Sequence, residues 1–175
     1  MEGEKNIREA YASLLHHDFE QAIRWFERAV QEQPDNADYH HKLSISYARS
    51  GKLAKALKHA ARACELNANA QEYRYHYGHL QALDLIRKAE KLMEREQAPK
   101  RAAWYLEQAK ALDPLSVEAH LLLAVIRLRE GDYPRAAAEL DEALALEPHH
   151  ETARRMKEDV MRQWTHQQQH RHQER

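Results

Sequence analysis

The chain has 175 residues, with 27 Lys or Arg against 28 Asp or Glu, and its formal net charge at pH 7 is −1. This balance excludes a protein that is drawn as a whole to nucleic acid or to an anionic membrane. With four Gly, five Pro and two Phe, and with strong helix formers such as Ala, Leu and Glu throughout, the sequence predicts an all-α protein.

Two further counts bear on where the chain works. The single cysteine, Cys64, excludes an intrachain disulfide and fits a reducing compartment. The opening residues MEGEKNIREA lack the apolar run of a signal peptide, and no stretch approaches the roughly 18 apolar residues of a membrane span. We therefore expect a cytoplasmic protein without membrane insertion.

The first helical pair occupies about residues 4–36, with His17-Asp18 at the turn. A turn one residue shorter than in the other pairs would place an apolar stripe on the inward face of the first helix: Ile7, Ala10, Tyr11 and Leu14. Without this deletion Asn6, Glu9 and Ser13 would face the core, which polar side chains rarely do.

The second and fourth pairs, residues 37–70 and 117–150, are the most regular. Each has small residues where two helices would touch and a glycine where the first helix would end in a left-handed turn, Gly51 and Gly131. Pro148 would stop the last helix of the fourth pair.

The third pair, residues 71–116, is twelve residues longer than its neighbours. Its additional segment, DLIRKAEKLMER, has no Gly or Pro, so it predicts one long first helix over residues 71–96. A kink near Asp84 is the alternative. An apolar stripe on this helix would have no regular neighbour to cover it and would form a possible dimerisation arm: Leu85, Ile86, Ala89, Leu92 and Met93.

The remaining residues predict a capping helix over 151–168, because one narrow apolar stripe ends at Trp164. Past that residue we expect fraying, and residues 169–175 are assigned to a tail.

These spacings resemble the tetratricopeptide repeat, in which small residues at positions 8, 20 and 27, a turn at 15 and a proline at 32 recur in register. The resemblance implies a right-handed α-solenoid, or superhelix, of about four helix-turn-helix repeats in a single domain over residues 1–168. It also implies a scaffold, adaptor or assembly chaperone without catalysis or a cofactor, which binds a peptide or helix of another protein in a concave groove.

By the same resemblance, the groove is lined by positions of the first helices: Arg8, His41, Ile45, Arg49, Tyr75, His79, Leu121, Val125, Leu128 and Arg129. Members that clamp a terminal carboxylate use Lys, Asn, Asn, Lys and Arg. The matching positions here, Arg8, Ala12, Lys42, Glu72 and His76, lack both Asn and disfavour such a ligand.

The first helix of the fourth pair, AHLLLAVIRLRE, is apolar on all faces, which is typical of a buried helix. Either the long helix or the C-terminal cap covers it, or a partner does. Substitution of Leu121, Val125 and Leu128 by Ser would distinguish the two, since only internal burial requires these residues for folding.

Two other functions are weaker. His76 and His79 are three residues apart on one helix and His41 would lie on the adjacent one, a spacing that Zn²⁺ or Ni²⁺ can use. A basic run at residues 52–62 would suit RNA, but it lacks interleaved aromatic residues. No glycine-rich phosphate loop, HExxH or G-x-S-x-G occurs, so we expect no enzyme.

Overall fold

The computed structural model describes residues 2–95 and 98–173, and in these ranges the chain is helical without strands. The helices are α1 (Glu2–Leu15), α2 (Phe19–Glu32), α3 (Ala37–Arg49), α4 (Leu53–Leu66), α5 (Gln71–Glu94), α6 (Pro99–Leu112), α7 (Val117–Arg129), α8 (Tyr133–Leu146) and α9 (Glu151–Gln173). None of these described helices is both long and apolar enough to cross a membrane.

The helices pack into two compact units that divide within α5. The N-terminal unit is residues 1–81 and the C-terminal unit is residues 82–175. In each unit, consecutive helices pack as pairs, such as α3 with α4 and α7 with α8. Alanines at the contacts, Ala56 and Ala63 on α4 among them, are almost fully buried and allow close approach of the helices.

The predicted long helix is confirmed, since α5 runs unbroken from Gln71 to Glu94 through the alternative kink site at Asp84. Its apolar stripe, however, is not left uncovered. Ile86 and Ala89 are 2% and 0% exposed and share a core with Leu106 of α6 and Leu123 of α7. The prediction that the stripe lacks a neighbour is therefore wrong.

The remaining stripe residues, Leu85, Leu92 and Met93, are half-buried against the same core. The physical reason is the division of α5. Its first half packs in the N-terminal unit, so its second half is free to serve as the first helix that pairs with α6. Residues 83–116 thus form a regular repeat of their own, and the predicted dimerisation arm loses its basis.

The turn between α1 and α2 also differs from the prediction, because it is not one residue short. It spans three residues, as do the turns after α3 and α7. His17 takes the left-handed conformation (φ 59°) that Gly51 and Gly131 take at the same place. The Asp18 amide donates to the Ser13 carbonyl at 2.9 Å, as the Lys52 amide does to Tyr47.

With the turn at full length, the inward face of α1 changes. Ala10 is buried as predicted, but Tyr11 is 47% exposed and Asn6 is buried. The Asn6 side-chain amide donates to Glu32 Oε1 at 2.7 Å, which satisfies it in place of water. Glu9, which was also expected to face the core if the turn had its full length, is exposed instead. The full-length turn therefore costs little in buried polar groups.

At the other end, α9 packs on α8 through Ala153 and Val160, both fully buried, with Met156 beside them. This is the apolar stripe of the predicted cap. The helix continues to Gln173, beyond the predicted boundary at residue 168. Residues 174–175 of the predicted tail lie outside the described residues, and fraying past Trp164 stays a prediction.

Candidate partner-binding surface

In the N-terminal unit, the first helices of successive repeats are neighbours. A Cβ on Gly3 of α1 would meet the Tyr39 ring of α3 at 3.2 Å, which shows how closely the two helices approach each other here. On the other side of α3, the His41 ring lies 4.6 Å from the Tyr73 ring of α5, centroid to centroid. The outward positions of α1, α3 and the first half of α5 therefore lie on consecutive, adjoining helices.

The predicted contact residues of this unit are partly exposed. Arg8 and Arg49 are exposed and His41, Ile45 and His79 are half-buried. Tyr75 is 59% exposed, which is unusual for a large aromatic side chain on a packed helix. Arg49 makes no ion pair among the residues that the structure describes, so its charge is available to a ligand.

The corrected register of α1 changes which of its residues belong to this surface. Tyr11 is equivalent to Ile45, and Leu15 is equivalent to Arg49, whereas Arg8 is equivalent to Lys42 beside the groove positions. Tyr11 and Leu15 are 47% and 81% exposed. Sequence reasoning missed Tyr11 because it shortened the turn, although the 34-residue spacing from Asp18 to Lys52 would have revealed this residue.

We call this surface the first-helix face. Its residues lie on α1, α3 and the first half of α5 at positions that the repeat assigns to the groove, and they are Tyr11, Leu15, Ile45, Arg49, Tyr75 and His79.

Behind the first-helix face lies a cluster of rings. The His41 and His76 rings meet edge to face at 5.1 Å. Ser44 Oγ donates to the Ala56 carbonyl at 2.8 Å, and since a hydroxyl has one proton, His76 Nε2–H donates to Ser44 Oγ at 2.9 Å. His41 Nδ1 is buried and has no hydrogen-bond partner among the described residues.

The cluster favours neutral imidazoles. Burial, followed by the neighbouring His41 and His79, lowers the pKa of His76 to about 4. Burial also lowers the pKa of His41, and this outweighs the opposing effect of Glu72.

The same geometry bears on the predicted metal candidate of His41, His76 and His79. Among the described residues no group of three or more His, Cys, Asp or Glu could hold a metal ion. His76 Nε2 is hydrogen-bonded to Ser44, so it is not available to a metal ion. The His41 ring packs edge to face against the His76 ring, and the two rings do not direct their nitrogens at a common point. The residues present therefore do not fit a metal site.

In the C-terminal unit, α7 is covered on two sides by its own chain. Leu121 and Leu128 pack against the core that α8 and α9 form, and Leu122 packs against the core of α5 and α6. This burial explains why α7 is apolar all round. Of the predicted contact residues here, Val125 is half-buried outside both cores and Arg129 is exposed.

The basic run of α4 is partly neutralised by carboxylates. Lys52 Nζ lies 2.7 Å from Glu20, and Arg62 lies 2.9 Å from Asp35 and 3.1 Å from Glu65. These pairs leave fewer free cations for phosphate groups than the sequence alone suggests.

Comparison with known proteins agrees with this architecture. The family model for the tetratricopeptide repeat matches residues 7–77 and 86–151. The chain belongs to the tetratricopeptide-repeat family, whose members are generally protein–protein interaction modules. No curated protein sequence matches the chain.

Solved structures support the same fold. MamA 41-end from Desulfovibrio magneticus RS-1 matches with a TM-score of 0.53 at 17% identity, over 91% of this chain and 93% of that one. A second crystal structure of MamA matches with a TM-score of 0.51 at 18% identity, over 89% and 84% of the two chains. At these identities the likeness concerns the fold alone.

Proposed function

We propose that the chain is an interaction scaffold whose N-terminal unit binds an apolar or aromatic segment of another protein on the first-helix face. The observation that carries this proposal is the exposure of Tyr11, Leu15 and Tyr75 on helices whose other large apolar side chains are buried or half-buried. Each exposed ring or aliphatic chain would lose its contact with water when a partner covers it.

The polar groups of the face suggest how the segment is oriented. Arg49 can pair with a carboxylate of the partner, because it makes no ion pair with another described residue. Burial of the tyrosines would supply most of the affinity, since interface energy concentrates in a few large side chains.

The proposed surface lies in the N-terminal unit alone. In the C-terminal unit Leu121 and Leu128 already pack within their own unit, and a role of Val125 and Arg129 in partner contact stays a separate prediction. Binding without catalysis, by a cytoplasmic protein that engages neither nucleic acid nor membrane, is part of the same proposal. Self-association through α5 is not, because Ile86 and Ala89 are buried.

The test begins with peptides selected from a random display library against the full chain. Their dissociation constants are then measured for the wild type and for Tyr11→Ala and Tyr75→Ala. We expect each substitution to weaken binding about tenfold, the loss of roughly 1.4 kcal/mol that a buried aromatic anchor commonly supplies.

Trp104→Ala is the matched control, because Trp104 is an aromatic residue 54% exposed on α6, in the C-terminal unit, and is not part of the first-helix face. It should leave binding unchanged. Selected peptides that bind both tyrosine variants as tightly as the wild type would refute the proposed surface.

A further inference from the structure

One buried position carries a histidine in two different repeats. His40 on α3 and His120 on α7 are both fourth in their repeats, and they are 7% and 6% exposed. Each meets a residue 19 positions later on the second helix of its own pair. That residue is His59 in the N-terminal unit and Glu139 in the C-terminal unit, so one contact joins two imidazoles and the other joins an imidazole to a carboxylate.

The contact between the two imidazoles has a defined proton count. His40 Nε2 lies 3.0 Å from the Pro34 carbonyl, which can only accept, so this nitrogen carries a proton. When His40 is neutral its Nδ1 must accept. The facing His59 Nδ1, 2.9 Å away, then donates to it.

The arrangement has room for one added proton and not for two. A proton on His40 Nδ1 can be donated to His59 only if His59 moves its own proton to Nε2. A second proton would place N–H donors against each other across 2.9 Å and two positive rings in a stack whose centroids are 5.1 Å apart. Unfolded histidines have no such restriction, and each takes up a proton near pH 6.5.

Among the charged side chains that act on the His59 ring, two are lysines and one is a glutamate. Burial, then the adjacent His40 and Lys58, lower the pKa of His59 to about 4. The Tyr47 ring of α3 stacks on His59 at 5.6 Å, and the Lys55 ammonium lies 5.1 Å over that same ring.

The titratable and charged groups near the pair come from α2, the α2–α3 loop, α3 and α4, and they are Glu27, Asp35, Tyr47, Lys55, Lys58, Arg62 and Glu65. The acids are largely engaged elsewhere. Glu27 accepts the hydrogen bond of the Tyr47 hydroxyl, while Asp35 and Glu65 both pair with Arg62. They therefore offset the cost of protonation only in part.

The equivalent contact in the C-terminal unit tolerates a proton. His120 Nδ1 lies 2.7 Å from Glu139 Oε2, so a protonated ring forms a charge-assisted hydrogen bond. Lys110 of α6 lies 2.9 Å from the same carboxylate, which helps to hold the carboxylate in place beside His120.

We propose that the His40–His59 contact is a proton-sensitive device that loosens the α3–α4 pair in mild acid, whereas the His120–Glu139 contact keeps the α7–α8 pair closed. Between pH 6.5 and about 4 an unfolded His59 binds more protons than the folded one does. Stability of the α3–α4 pair is therefore present above pH 6.5 and declines as the pH falls through this interval.

Hydrogen–deuterium exchange of the full chain at pH 7.5 and pH 5.0 tests the device, after correction for the pH dependence of intrinsic exchange. We expect the opening constant of α3–α4 peptides to rise on the order of tenfold at the lower pH, and that of α7–α8 peptides to change less than about twofold. Equal increases in both pairs would overturn the proposal.

Exchange of the partner residue between the two repeats is the matched control. His59→Glu should remove most of the acid-induced opening of α3–α4, and Glu139→His should create it in α7–α8. His59→Asn keeps a donor for His40 Nδ1 without a titrating ring, and serves if His59→Glu does not fold. Protonation of His76 also contributes to acid-induced opening, but equally in the wild type and in the variants. Acid-induced opening of α3–α4 that persists unchanged in the folded His59→Glu and His59→Asn variants would therefore refute the device.

Discussion

At the scale of single residues, His17 stands where the other regular turns have glycine. Its φ of 59° is a conformation that costs a side chain with a Cβ about 1 kcal/mol. The ring gains little in return, because the nearest one, that of Phe19, is 6.4 Å away.

We therefore expect His17→Gly to stabilise the protein by about 0.5–1 kcal/mol, as measured by urea denaturation. Gly51→Ala is the mirror-image control. A Cβ there would meet no atom within 4 Å, so a loss of stability would report the backbone conformation alone. A His17→Gly variant less stable than the wild type would show that the histidine side chain makes a stabilising contact.

The same turn explains what the sequence did and did not reveal about the site. The outward positions of α3 and α5, Ile45 and Tyr75 among them, followed from regular spacing. On α1 the preference for apolar core residues favoured a shortened turn, which placed Tyr11 in the core instead of on the surface. The polar alternative, Asn6, is buried because Glu32 accepts its hydrogen bond, and this tertiary partner is not visible in a local pattern.

At the scale of elements, α5 shows how far periodicity reaches. The absence of Gly and Pro predicted one continuous helix, and the structure has it. Periodicity also identified the apolar stripe, but it could not assign a neighbour to that stripe. The neighbour is α6, which becomes available only because the first half of α5 packs in the other unit.

Ala89 gives a direct test of this pairing. It is 0% exposed in the core that α5 shares with α6 and α7, so Ala89→Leu should overpack the core and lower the free energy of unfolding by about 1–3 kcal/mol. Thermal unfolding measures the effect, with Lys91→Leu on the exposed side of α5 as the control. If Ala89→Leu instead left stability intact and promoted dimers in sedimentation, the stripe would be an intermolecular surface after all.

At the scale of the whole molecule, the tetratricopeptide fold was predictable because its signals recur along the chain. Single matches are weak, but small residues, turn and proline in register exclude most alternatives. Composition predicted the helices, and the repeat predicted their pairing. The distribution of histidines and acids at buried contacts, such as His59 and Glu139 at one repeat position, needed the structure, because either residue type suits a partly exposed helical position.

The continuity of α5 also bears on how many repeats the chain contains. Residues 71–82 correspond to the first twelve positions of a repeat, and a complete repeat follows at once over residues 83–116. The family match is likewise interrupted between residues 77 and 86. The additional length of the long helix therefore matches a repeat without its second helix and both flanking turns.

A graft can test that interpretation. A copy of residues 49–70, which supplies a turn, a second helix and a closing loop, would be inserted between Ala82 and Leu83. We expect the product to fold with two more helices than the parent, and with a proportionally larger helical signal in circular dichroism. The middle of α5 would then be a point at which inserted residues complete a helical pair while every residue of the parent chain is kept.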